Sequence, residues 1–329
     1  MSLTSQPSRR ALLAGMSGVA AAVGVQYLGG GRALAAASGR PVLRASPAKL
    51  IPAIGSWFGA YPGGGNANPG AYEAMAGRKL DVVMRYEALD GAWPNAADLG
   101  LVAAGRWLSV CWSSRLRRSG TVARWADVAA GDYDGLITAQ ARRVASLGPV
   151  WVGYDNEMDG VTRIAKSGPL SDYPAAYRRI QRIVRPIAPE VVWVWCPTGG
   201  NRTDAVARCY PGDDYVDWIC YDPYDPNLRK GGPLATYAPF PAWLSDRRIG
   251  DSKPLGICET GFHRDLDGHA AAVDWVDAVP AALEKLGIRL WQWFNSSGGL
   301  GDTSIAAGSP VAAALRRIGA YPALSQPHW

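Results

Sequence analysis

Eight short β-rich runs alternate with helix-like stretches along this chain, and that alternation limits the possible folds more than any other feature. The runs are 51–58, 81–86, 106–112, 149–154, 191–195, 216–221, 254–258 and 288–294. Each is short, apolar and bounded by Gly or Pro, the pattern of parallel strands covered on both faces. Between them, 133–147 and 173–188 carry apolar residues at helical spacing with Arg on the outer side, and 280–286 is a helical run stopped by Gly287. Eight strands with intervening helices in under 300 residues predict an α/β fold, a (β/α)8 TIM barrel formed as a single domain over 38–329. A doubly wound open sheet would need a Gly-rich phosphate loop after its first strand. Gly63-Gly64-Gly65-Asn66 lacks the G-x-G-x-x-G pattern. No internal repeat, linker or appended carbohydrate-binding module is visible.

Composition agrees with a globular enzyme-sized domain. Hydrophobic residues make up 48% and charged residues 19% of the 329, which excludes a disordered tail or a coiled coil, and a chain this long buries its core without disulfide help. The 14 Trp and 14 Tyr against 4 Phe suggest stacking surfaces as well as core, because both residues join a flat apolar face to a polar handle. Three His argue against a multi-His metal site, and no cofactor is expected. The formal charge is +6, but residues 1–37 hold Arg9, Arg10 and Arg32 and no acid, so the rest of the chain carries +3. With no Lys/Arg run, that balance does not point to nucleic acid.

The N-terminus reads as an address. Arg9-Arg10 opens an apolar stretch from Ala11 to Leu28 that closes on Ala33-Leu34-Ala35. This is the order of a secretory signal of the twin-arginine kind, with cleavage expected shortly after Ala35 or Ala37. A membrane anchor is the competing reading. The Gly- and Ala-rich, weakly apolar character of the stretch disfavours it. The expected product is a secreted monomer with no lasting membrane association. Of the five cysteines, Cys111, Cys196, Cys209, Cys220 and Cys258, none has zinc spacing. Buried free thiols are the expectation, with Cys196 and Cys209 the one candidate pair, since they flank a loop.

Barrel chemistry sits at the C-terminal ends of strands, and two of the runs end in glutamate. The fourth continues Tyr154-Asp155-Asn156-Glu157-Met158-Asp159, and the seventh continues Cys258-Glu259-Thr260-Gly261. In a closed eight-stranded barrel the fourth and seventh strands face each other across the mouth. Two carboxyls there can flank one glycosidic bond, one protonating the leaving oxygen and one attacking the anomeric carbon. Alone, either glutamate would as readily cap a helix or pair with an Arg.

Several of these segments resemble glycoside hydrolase family 26. Tyr154–Gly160 looks like that family's His-Glu-Met-Asn-Gly acid/base segment. The run 210–218 is similar to its Tyr-Pro-Gly-Asp-…-Tyr-Val-Asp signature, Glu259-Thr260-Gly261 to its nucleophile segment, and Trp293-Phe294-Asn295 to its strand-eight end. The resemblance spans about residues 50–320 and implies a barrel that hydrolyses β-linked polysaccharide with retention, most often β-1,4-mannan. Asn156 stands where the family has His, Val161 follows Gly160 where a Trp is common, and Cys111-Trp112-Ser113-Ser114 lacks the acidic or His-containing strand-three ending. These departures surround the sugar subsites. They leave open another cell-wall glycan (β-glucan, β-xylan, arabinan-type) and a catalytically inactive glycan-binding barrel.

The resemblance and position together assign roles. Glu157 would be the general acid/base, its pKa raised by burial and a neighbouring carboxylate, and Glu259 the ionised nucleophile. Asn156 would donate to the sugar 2-hydroxyl. Tyr224, matching the family's strand-six tyrosine, would donate to Glu259, and Arg85 is a second candidate donor or else a structural ion pair. Trp293, Trp112 and Trp57 are candidate stacking floors for sugar rings. Asp213, Asp214 and Asp217 read as caps and solvated turns in preference to a calcium loop.

Overall fold

In the computed structural model, residues 47–64, 66, 68–297 and 301–324 are described. The signal-like segment lies outside them. Eight parallel strands close into a barrel in sequence order: β1 Trp57–Tyr61, β2 Val82–Ala88, β3 Trp107–Ser113, β4 Val150–Tyr154, β5 Val191–Trp195, β6 Trp218–Tyr221, β7 Leu255–Ile257 and β8 Ile288–Phe294, with β8 pairing back to β1. Helices such as Tyr173–Val184 fill the crossovers. This one buries Tyr173, Ala176, Tyr177, Ile180 and Val184 against the sheet, as its 3.6-residue periodicity requires. No helix among the described residues is long and apolar enough to cross a membrane.

The first strand corrects the sequence expectation. Run 51–58 overlaps β1 only at Trp57 and Phe58. Pro52 and Gly55 interrupt what precedes it. Gly55 adopts φ +55 against the Ala323 carbonyl, where an added Cβ would meet the oxygen at 1.9 Å. The apolar residues before it close the barrel floor instead. The Leu50 carbonyl accepts the Trp57 indole N–H at 2.7 Å, and the Lys49 carbonyl accepts that of Trp218 at 2.7 Å.

Strand alternation sorts every side chain inward or outward. Trp57, Val82, Trp151, Val192, Trp218 and Leu290 pack inside the lower barrel. Above them Gln292 reaches across to the Ser109 hydroxyl at 3.4 Å. Tyr61, Met84 and Cys111, with Tyr86 and Phe294 against them, form the top interior layer. The intervening residues, among them Phe58, Val83, Trp112, Trp193 and Trp293, face outward into the larger core under the helices.

All five cysteines are buried free thiols. Cys196 points into the barrel and Cys209 into the outer core, so the candidate pair does not form. In the loop before β6, Asp213 accepts from the Tyr210 hydroxyl at 2.7 Å. Asp217 caps the Trp193 amide at 2.9 Å and pairs with Lys49 at 2.8 Å.

Candidate active site

The chain leaves β4 through a turn that the backbone would not adopt unaided. Asp155 has φ +45 and Glu157 φ +58, both in the left-handed region that non-glycine residues seldom occupy. Asp155 holds the turn. Fully buried, it accepts from the Ser114 amide at 2.8 Å, the Ser114 hydroxyl and the Trp125 indole at 2.7 Å, and pairs with Arg163 at 3.2 Å. Asp159 fixes the far side by accepting from the Thr198 amide and hydroxyl at 2.8 and 2.6 Å. Between these anchors the Glu157 amide donates to the Cys196 carbonyl at 2.7 Å, aiming the side chain over the mouth.

Glu259 follows β7 and is clamped from two sides. The Tyr224 hydroxyl donates to Oε2 at 2.8 Å, and the Tyr86 hydroxyl makes a short hydrogen bond to Oε1. Asn66 positions Tyr86 by bridging its backbone, accepting from its N–H at 3.0 Å and donating to its carbonyl at 3.1 Å. Burial drives both phenol pKa values well up, so each stays a neutral O–H donor.

A third carboxyl completes the centre. One carboxylate oxygen from each of Glu157, Asp222 and Glu259 lies within 4.8 Å of the other two. Asp222 is buried at the top of β6. The Cys196 thiol donates to its Oδ1 at 3.4 Å, and its Oδ2 has no partner among the described residues. Three carboxyls so close cannot all ionise. Burial and the neighbouring glutamates push Asp222 well above the carboxylate range. Burial and Asp159 raise Glu157, partly offset by Arg163. Burial and Glu157 push Glu259 up to about 8, against the lowering effect of its two phenol donors. Glu157 and Glu259 therefore titrate as a coupled pair, which modifies the expectation of a simply ionised Glu259. The two phenols stabilise charge on Glu259, whereas Glu157 has no such donor among the described residues, so the shared proton belongs on Glu157. The spacing also suits a hard cation, but phenol hydrogens aimed at both Glu259 oxygens favour a shared proton there.

Asn156 is buried beside this centre, with Oδ1 lacking a partner among the described residues and packed over Gly153, where a Cβ would meet it at 2.1 Å. The other assignments need correction. Arg85 faces outward from β2 and pairs with Asp98 at 3.2 Å; its neighbour Tyr86 reaches Glu259 instead. Trp293 faces outward from β8, fully buried against Phe262, Trp275 and Trp291, and donates to the Thr303 carbonyl at 2.9 Å. Trp112 likewise faces out against Trp93 and donates to the Ala88 carbonyl at 3.1 Å. Trp57 faces inward but at the barrel floor. None of the three can stack on a sugar. The aromatic wall of the mouth is made by Tyr61, Tyr86, Tyr224 and Phe294, with Tyr61 stacked on Phe294 at 5.1 Å and Tyr224 edge-on to Phe294 at 6.3 Å. Sequence reasoning missed Tyr86, Asp222 and Phe294. The available signal was parity: counting in twos from the interior residues Val82, Cys220 and Leu290 reaches all three.

Comparison with known proteins agrees with this architecture. No family model matches the chain. Over 185 residues it is 28% identical to Endoglucanase H of Acetivibrio thermocellus, an alignment covering 52% of this chain and 20% of that protein, so the chain spans about a fifth of that curated relative. Among solved structures it resembles a glycoside hydrolase family 26 β-mannanase from Bacteroides ovatus, with TM-score 0.65 and 18% identity over 86% of this chain and 95% of that one. An endo-β-1,4-mannanase double mutant from Cellulomonas fimi gives TM-score 0.61 and 18% identity over 90% of this chain and 75% of that one. At such identities the likeness shows the shared (β/α)8 barrel.

Proposed function

We propose that this chain is a retaining glycoside hydrolase of the family 26 type, cleaving internal β-linkages of a polysaccharide. The observation that carries this reading is the carboxyl pair: Glu157 and Glu259, just beyond the ends of β4 and β7, come within 4.8 Å, one with no hydrogen-bond donor among the described residues on a strained turn and the other held by two phenols. Inversion would need about 6.5–9.5 Å between carboxyls, to leave room for a water. In the first step Glu259 attacks the anomeric carbon while the Glu157 proton passes to the glycosidic oxygen, and the leaving sugar departs as an alcohol. In the second, Glu157 takes a proton from water, which displaces Glu259 and restores the original configuration. Asn156 and the wall of Tyr61, Tyr224 and Phe294 would bind the glycone ring.

β-1,4-Mannan is the first substrate to test, because the solved mannanases share the fold, and β-glucan the second, because the sequence relative is named an endoglucanase. The test is a polysaccharide panel with Glu259→Ala as control and the product anomer read by NMR at early times. Internal cleavage with retained β-configuration is expected. An α-product or exclusive release of terminal monosaccharides would overturn the respective part of the reading. Glycan binding without any wild-type turnover would favour an inactive binding barrel. The segment 1–37 is proposed to direct twin-arginine export, and N-terminal sequencing of secreted protein tests it.

A further inference from the structure

Beside Glu157 lies a cleft of about 570 Å³ whose walls include Arg115, Val122, Glu157, Gly160, Arg163 and Lys166 and, among the described residues, not Glu259. Its size is that of a site for one or two sugar rings. Its charge is one-sided: three cations line it, and its one acidic lining residue is Glu157, the group that must be protonated to work. Among the described residues neither Arg115 nor Lys166 has a carboxylate partner, while Arg163 is held in place by Asp155 at 3.2 Å.

The loop that presents Arg115 is built. Arg115 and Val122 form an antiparallel bridge, the Leu116 amide donates to the Thr121 carbonyl at 2.9 Å, and Asp90 receives the Arg117 and Arg118 amides at 2.6 and 3.1 Å. Val161, 85% exposed at the rim, adds an apolar contact of the kind a sugar face covers. Unpaired cations held on ordered backbone around a cleft that opens onto a catalytic acid are an arrangement for an anion.

Building on the hydrolase reading above, we infer that this cleft is the leaving-group subsite and that it takes a sugar bearing an anionic substituent, a carboxylate or a sulfate ester. The acid must touch the glycosidic oxygen, so the ring on its far side from the nucleophile is the one that leaves. Arg115 and Lys166 would meet the anion, and Arg163 would orient it.

Equilibrium binding tests this without requiring turnover. The probes are a β-linked hexasaccharide alternating neutral sugar with glucuronic acid, its carboxyl-reduced counterpart, and the reduced compound carrying sulfate esters. Calorimetry on the full chain should show the wild type binding a charged probe about tenfold more tightly than the reduced one, with the preference fading as salt screens the exposed cations. Which charged probe wins identifies the substituent. In R115Q/K166Q the charged preference should vanish. Equal affinity for charged and reduced probes in the wild type, or a preference undiminished in the variant, overturns the inference. Failure of the hydrolase reading would show separately, as absent turnover of an activated aryl glycoside by a protein that still discriminates charge.

Discussion

At the floor of the barrel, Trp57 and Trp218 hand their indole N–H groups to the carbonyls of Leu50 and Lys49, and Val82, Trp151, Val192 and Leu290 fill the space between them. At the mouth, three carboxyls crowd within 4.8 Å, Asn156 Oδ1 and Asp222 Oδ2 lack partners among the described residues, and Asp155 and Glu157 hold left-handed backbone. Both ends belong to the same eight strands. The floor is arranged mainly as a folding core is, by covering apolar area and pairing the Trp57 and Trp218 indoles, although the Trp151 N–H has no partner among the described residues. The mouth instead gathers ionisable groups and left-handed backbone in one place, and that backbone is held by Asp155 and Asp159 through contacts to the loops after β3 and β5. Such concentrated departures mark a site where stability has been given up for chemistry.

The strongest way to break this contrast is to remove Glu259. Glu259→Ala should lower turnover by at least about 10⁴-fold on every substrate, because no covalent intermediate can form. Residual turnover above one per cent of wild type would move the nucleophile elsewhere.

Removing the other carboxyl separates the two roles. Glu157→Ala should cost about 10²–10⁴-fold when the leaving group is a sugar, which needs its oxygen protonated. An activated aryl glycoside should keep its first step and lose the second. Azide, which needs no base, should restore that second step and give a β-glycosyl azide. Equal loss on both leaving groups without azide rescue would falsify Glu157 as the acid/base.

The phenol clamp gives a smaller and more diagnostic effect. Tyr224→Phe and Tyr86→Phe each delete a hydrogen bond to a charged group, worth about 1.5–3 kcal/mol, so kcat/KM should fall roughly ten- to a hundredfold. Each donor lowers the Glu259 pKa, so its loss should shift the acidic limb of the pH–rate profile upward. A drop in rate with an unmoved limb would assign the phenols to sugar contact alone. In the wild type, the alkaline limb should follow loss of the proton on Glu157, which burial and Asp159 hold above the ordinary carboxylate range.

The sequence revealed the barrel because each strand is a short apolar run with Gly or Pro at its edge, a signal written locally. It also singled out both glutamates as strand-end residues, and the fold brings their carboxyls within 4.8 Å of each other. Facing was harder to read. Trp293 and Phe294 are adjacent, and the choice between them depends on a single step of alternation that strands covered on both faces conceal, because inward and outward residues are equally apolar. Arg85 and Tyr86 present the same problem on β2. The first strand was misplaced for a related reason: Ile51 and Trp57 are both apolar, and only the turn at Gly55, set by contact with the distant Ala323, separates floor from strand.

The smallest effect concerns stability and follows from the same crowding. Burial and the coupling to Glu157 push Glu259 up to about 8 against an ordinary value of 4.5, so across that span the pair keeps one proton, which rests on Glu157. Between those values the folded state holds a proton that the unfolded chain has released. Stability therefore falls as pH rises from about 4.5 towards 8, and above 8 the full cost of a buried carboxylate is present. Glu259→Gln keeps the shape and leaves one acid where there were two, so this inactive variant should melt a few degrees above the wild type at pH 8, the scale that about 1–2 kcal/mol sets for a domain of this size. The gap should narrow at pH 4.5, where the wild-type pair still holds its proton and carries one charge instead of two. Thermal melts at the two pH values measure it. A gap that is constant with pH would mean that Gln changes packing or hydrogen bonding to the phenols, and a gap that widens in acid would mean that Glu259 is held below its ordinary range, leaving Asp222 and Glu157 to carry the crowding.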